Sequence, residues 1–244
     1  ESRGLGDVYK RQVSMSNKRV LFLCLFMLAF MQISAQHVSY KTFQKYALEV
    51  YDVVCKKPRG FIDLRTSVNW WPGGMNCGVG FMYDPVFRSK SGDCLIMYPT
   101  IGLWSTLRPP VREQLAYEIN ATLGWVGDVG KQSQQVEVDF EKYVTIWVDD
   151  ARQYFNADTV FIAQLPIKNP YKEMYNYCTS VYVYKKDRPV LLFKFFFTEE
   201  GKQHEQEYLN KLCKRIWYRK GNWVYDKERV IQADYDILYR DRYK

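Results

Sequence analysis

The sequence predicts an α+β fold, an antiparallel sheet of about six strands flanked by about four helices and layered as an α/β/α sandwich. Two observations carry this. Runs rich in β-branched and aromatic residues fall into two groups, 61–98 and 159–198, whose members are separated by turn-forming residues. Runs with a helical repeat lie around and between those groups instead of alternating with single strands, which speaks against a parallel, nucleotide-binding sheet.

The elements follow in order. Ser39 caps a stripe of Tyr40, Phe43, Tyr46, Ala47, Val50, Tyr51 and Val54, spaced as on one helix face, and Pro58 and Gly60 stop it. A strand is expected over Phe61–Val68. The turn-rich Trp71-Pro72-Gly73-Gly74 follows, then strands Gly78–Tyr83 and Cys94–Tyr98 joined by an exposed loop, Asp84–Asp93. Pro109-Pro110 opens a second helix carrying Val111, Leu115, Ile119 and Leu123 on one face, and Gly124 ends it before a polar loop, Gly127–Gln135. From Phe140 to Phe155 the spacing favours helix, while Val144-Thr145-Ile146 is β-branched and favours strand; the periodicity is the longer signal. Strands Thr159–Leu165, Tyr175–Tyr184 and Val190–Thr198 complete the sheet. Thr198 then caps a helix with Glu199 and Glu200 in its first turn and Tyr208, Leu209, Leu212, Cys213 and Ile216 as its buried stripe. The tail from Asn222 to Lys244 mixes charge with Trp223, Tyr225, Tyr235 and Tyr239, a composition that suits either docking or fraying.

The strand ending in Tyr83-Asp84-Pro85, the meander Thr159–Thr198 and the closing helix with Trp217 resemble the layout of PsbP-like proteins, which are α/β/α sandwiches around an antiparallel sheet. The resemblance implies a non-catalytic accessory role. It carries over no functional residue.

Four segments are expected along the 244 residues. Residues 1–14 have neither pattern nor targeting logic and are expected to be a non-native upstream piece. Residues 15–35 read as a signal peptide: Lys18 and Arg19 after Met15, an apolar run from Val20 to Met31, and small residues ending at Ala35. The run is too short for a membrane span. Residues 36–221 then form one α+β domain and residues 222–244 a charged aromatic tail. A periplasmic or secreted location follows, with no transmembrane span in the mature chain.

The formal net charge is +8, but residues 1–35 hold Arg3, Lys10, Arg11, Lys18 and Arg19 against Glu1 and Asp7, so the mature chain is only mildly basic. Its charges are interspersed and no nucleic-acid partner is expected. With Cys24 removed in the leader, Cys55, Cys77, Cys94, Cys178 and Cys213 remain, which allows one or two disulfides in an oxidising compartment and leaves at least one thiol over. Register across the expected hairpin sets Cys94 opposite Met82, a poor match for Cys77. The chain has two histidines, His37 and His204, and no C-x-x-C, so neither a metal site nor a cofactor is expected.

Candidate sites are few. Trp70 and Trp71, at a strand end beside Pro72-Gly73-Gly74, could together form a flat platform for a sugar ring or a protein partner; alternatively at least one of them plugs the sandwich edge. Cys178 and His204 are the one nucleophile and base worth naming, although no family signature surrounds either. His204-Glu205-Gln206-Glu207 lacks the second histidine of a zinc-protease helix. Asp149 and Asp150 could imitate a glycosidase dyad, but adjacent residues on a helix point apart and are expected to be solvated, and Asn120-Ala121-Thr122 matches a glycosylation sequon on a helix. The reading is an exported, non-enzymatic domain that binds a protein, glycan or envelope component; the alternative is an exported hydrolase with a site near Cys178 and His204.

Overall fold

The computed structural model describes residues 37–71, 80–102, 110–123 and 138–239. The expected leader, the loop after Trp71, Cys77, the loop Gly127–Gln135 and the last five residues lie outside them.

Helix α1 (Tyr40–Tyr51) begins as its cap predicts, with Ser39 Oγ accepting from the Thr42 amide at 3.2 Å. It ends earlier than its apolar stripe suggests. Asp52 turns left-handed (φ 54°), and Val53–Cys55 becomes strand β1, paired with β10 (Ile216–Tyr218). Pairing with a strand distant in sequence overrides the local helical repeat. Strands β2 (Phe61–Asp63) and β3 (Val68–Trp70) replace the single strand expected there, and both lie on the same edge of β4 (Phe81–Ser89). The expected loop Asp84–Asp93 is largely strand: β4 runs on to Ser89 and turns at Lys90–Asp93 into β5 (Cys94–Pro99). Arg88 therefore faces Leu95, and the register that set Cys94 opposite Met82 is corrected.

Helix α2 (Val111–Leu123) forms as expected. The segment from Phe140 does not become one helix. It divides into a short α3 (Phe140–Tyr143), strand β6 (Val144–Trp147) and a π-helical turn (Ala151–Phe155), because the β-branched Val144-Thr145-Ile146 pairs along the edge of β7 (Thr159–Leu165). Strands β8 (Tyr177–Tyr184) and β9 (Leu191–Phe197) follow closely where predicted. The helix after Thr198 breaks at His204 into α4 (Glu199–Gln203) and α5 (Glu205–Asn210), and Ile216 leaves it for β10. The close approach there demands glycine: a Cβ on Gly201 would meet the Asp93 carbonyl oxygen at 2.1 Å. The tail docks. Helix α6 (Lys227–Ala233) and the π-helical turn Asp234–Tyr239 press Val230, Ala233, Ile237 and Leu238 against α1, and Tyr46 donates to Asp234 at 2.5 Å.

All pairings are antiparallel, in the order β2-β4-β5-β9-β8-β7-β6 with β3 also paired to β4, so the main sheet has eight strands and β1-β10 forms a separate ribbon. Alternation along β9 shows the layering. Phe193, Phe195 and Phe197 face the core under α1 and α6, while Leu192 and Phe196 face a second core with Leu115 and Ile119 of α2. No described helix is long and apolar enough to cross a membrane.

Candidate functional site

The two tryptophans do not share a platform. Strand alternation turns Trp70 inward, where it is 6% exposed and packs edge-on against Phe196 at 5.3 Å. Trp71 points out at 39% exposed, its ring lying over Gly80, where a Cβ would come within 2.8 Å. Trp70 thus belongs to the core, and Trp71 alone offers a ring to solvent.

Cys178 and His204 are not brought together. Thr179 Oγ1 reaches Glu205 at the start of α5, so the neighbouring Cys178 projects to the opposite face of the sheet, into the core beneath α2. Burial pushes its thiol well above the ordinary range, and His204 sits at the surface against Glu207 at 3.3 Å. A raised thiol facing away from its base is no activated nucleophile. Asp149 is fully exposed and pairs with Arg152 at 3.7 Å. Asn120 of the sequon is buried in α2, so a glycan there is incompatible with the fold.

Cys55, Cys94, Cys178 and Cys213 are free thiols, so none of the cysteines within the described residues forms the expected disulfide. The first three are buried.

One buried polar cluster was not foreseen. Lys194 on β9 points into the core under α2, with Nζ 2.6 Å from both Glu118 carboxylate oxygens and also donating to Ser180 Oγ. The rings of Trp70, Phe81, Tyr83 and Tyr182 lie 5.4 to 6.0 Å from the ammonium. None of Lys194, Glu118 and Ser180 is open to solvent, so the cluster organises the core and cannot meet a ligand in this conformation.

The surface around the β1-β10 ribbon is different. Pairing of Cys55 with Ile216, reinforced by the Lys56 amide donating to the Arg215 carbonyl at 2.6 Å, brings Lys56-Lys57-Pro58-Arg59 against Lys211–Lys220. Two clefts open there. One, of about 590 Å³, lies between the π-helical turn and the outer side of β10, walled by Arg152, Tyr154, Lys214, Trp217, Arg219 and Lys220. The other, of about 470 Å³, is walled by Lys56, Arg59, Lys211, Lys214 and Arg215. Lys214 lines both, its backbone held left-handed at φ 58°.

Alternation along β10 explains the aromatic floor. Ile216 and Tyr218 are buried in the core, and Trp217 between them faces outward. Lys56 Nζ lies 4.9 Å from the Trp217 ring and Lys214 Nζ lies 5.5 Å from that of Tyr154. The floor is anchored beneath: Tyr218 Oη donates to the Pro189 carbonyl at 2.7 Å, and Asn156 Nδ2 donates to the Tyr218 carbonyl at 2.8 Å. Arg152 and Arg219 have acidic neighbours in Asp149 and Asp52. Among the described residues no carboxylate forms an ion pair with Lys56, Arg59, Lys211, Lys214, Arg215 or Lys220. Converging cations without counter-charges raise the local concentration of anions and donate charge-assisted hydrogen bonds to whichever binds.

The local signals for this surface are the runs KKPR and KLCKRIWYRK, which hold no acid. Each is short and looks like ordinary solvated charge; only the β1-β10 pairing joins them. No family model, curated protein or solved structure matches the chain.

Proposed function

We propose that this chain is an exported domain, periplasmic or secreted, that binds an envelope component through the basic clefts on the β1-β10 ribbon and does not carry out catalysis. The observation that carries this reading is the convergence of six cations without described ion-pair partners on two clefts that share Lys214, the larger of them also lined by Trp217 and Tyr154. The export half rests on the leader-like sequence Met15–Ala35. The binding half rests on geometry: a concave, rigidly floored surface with orientable donors is built for holding an anion.

The reading is tested by co-sedimentation of the purified chain with the envelope fraction of its own organism. The wild type is expected to sediment, and the triple variant Lys56→Gln, Lys211→Gln, Lys214→Gln is expected to remain in solution with an unchanged melting curve, since all three side chains are exposed. A folded triple variant that sediments like the wild type would overturn the assignment of the site.

A further inference from the structure

Resting on the binding reading above, we infer that the ligand of the β1-β10 surface is an acidic polysaccharide, a chain of sugar rings bearing carboxylate, phosphate or sulfate groups. Two features select this class. Each cleft, at about 590 and 470 Å³, is already the size of a small-ligand site, and the two meet at Lys214, so together they form a track longer than a single anion needs. The track is also not uniformly charged. Trp217 and Tyr154 each carry a lysine ammonium over the ring, at 4.9 and 5.5 Å, so aromatic surface and positive charge are offered at the same point to a sugar that bears an acidic substituent.

A free inorganic anion would leave the rings unused. A flat membrane surface would contact the rims and leave Trp217, which is half-buried on the cleft wall, out of reach. An acidic glycan uses cations and rings in alternation. It is also a ligand that an exported domain meets.

The test is equilibrium binding of the full chain to fluorescein-labelled polygalacturonate oligomers, with neutral dextran oligomers and oligo-dT of similar length as comparators. Polygalacturonate is expected to bind, weakening as salt is raised, and dextran and oligo-dT to bind at least about tenfold more weakly. Lys56→Gln with Lys214→Gln is expected to lower polygalacturonate affinity about tenfold, and Trp217→Leu to lower it severalfold while leaving retention on a phosphate-charged matrix unchanged. Trp217→Phe, which keeps a ring, guards against a folding defect and should retain most of the affinity. Oligo-dT binding as tightly as polygalacturonate would overturn the inference in favour of a nucleic acid, and Trp217→Leu binding polygalacturonate as tightly as the wild type would reduce the site to bare charge. Should polygalacturonate fail to bind while the triple lysine variant still loses envelope sedimentation, the glycan inference falls and the binding site stands; should sedimentation survive the triple variant, the site itself falls.

Discussion

The Lys194 ammonium and the Glu118 carboxylate meet at 2.6 Å, bridging strand β9 and helix α2 with neither group exposed to water. Attraction inside a protein is strong, but so is the cost of removing both charges from water, so such a pair specifies where α2 sits more than it adds stability. Removing one partner leaves the other charge buried and uncompensated. Glu118→Gln or Lys194→Met is expected to cost about 3–5 kcal/mol in denaturant unfolding, whereas Lys194→Met combined with Glu118→Leu should recover most of that loss. A double variant as unstable as the singles would show that the helix is positioned by other contacts.

Trp70 and Trp71 should separate cleanly. Trp70→Ala empties a fully packed site beside Phe196 and is expected to lower stability by about 3–5 kcal/mol, while Trp71→Ala, at a half-open ring, should shift the thermal midpoint little. Thermal unfolding of the two single variants decides it. Equal losses would place both rings in the core.

Asp93 supplies an acid-sensitive clamp. Its Oδ1 accepts from Ser89 at 2.7 Å and from both Ser91 and Tyr208 at 2.6 Å, the last reaching back from α5 to the β4-β5 turn. Partial burial would raise this carboxyl, but the three hydroxyl donors outweigh it and hold it below the usual range. A depressed folded value means that the contribution is present above the unfolded value, about pH 4, and is lost as pH falls through the lower folded one. The stability gap between the wild type and Asp93→Asn, followed by urea midpoints, is therefore expected to be constant near neutrality and to close below about pH 4. A gap that persists in strong acid would contradict the clamp.

The thiols should differ in reactivity. Burial, with a smaller push from Asp150, raises Cys213 to about 11, and Cys55, Cys94 and Cys178 lie in the core. Iodoacetamide at mildly alkaline pH is expected to label Cys213 slowly and the other three only after denaturation, as read by peptide mass mapping. Rapid labelling of Cys178 in the folded chain would reopen a nucleophilic role for it.

The sheet was legible where the signal was both local and long. Thr159–Leu165 and the neighbouring hairpin carry dense β-branched and aromatic runs that the fold keeps almost unchanged. Legibility failed where a distant partner decided. Val53–Cys55 continues a helical stripe until β10 claims it, and Val144–Trp147 abandons a helical repeat for the free edge of β7. The hairpin register was misjudged because Pro85 and Ser89 look like loop residues, yet both sit within β4. The site suffered most. Trp70-Trp71 stood out because tryptophan is rare, whereas the lysines that converge stood in two unremarkable runs more than 150 residues apart.

That separation ties recognition to a strand made after the main sheet. The ribbon joining Cys55 to Ile216 has the character of a clasp: one half precedes the main sheet in the chain and the other follows it, with all eight strands between. Closing such a long loop is slow and follows the contacts that shorten it. A chain cut before Lys211 would still contain the sequence of all eight strands of the main sheet and would lose most of the grip, so possession of the ligand would report that the segment from Lys211 onward has folded.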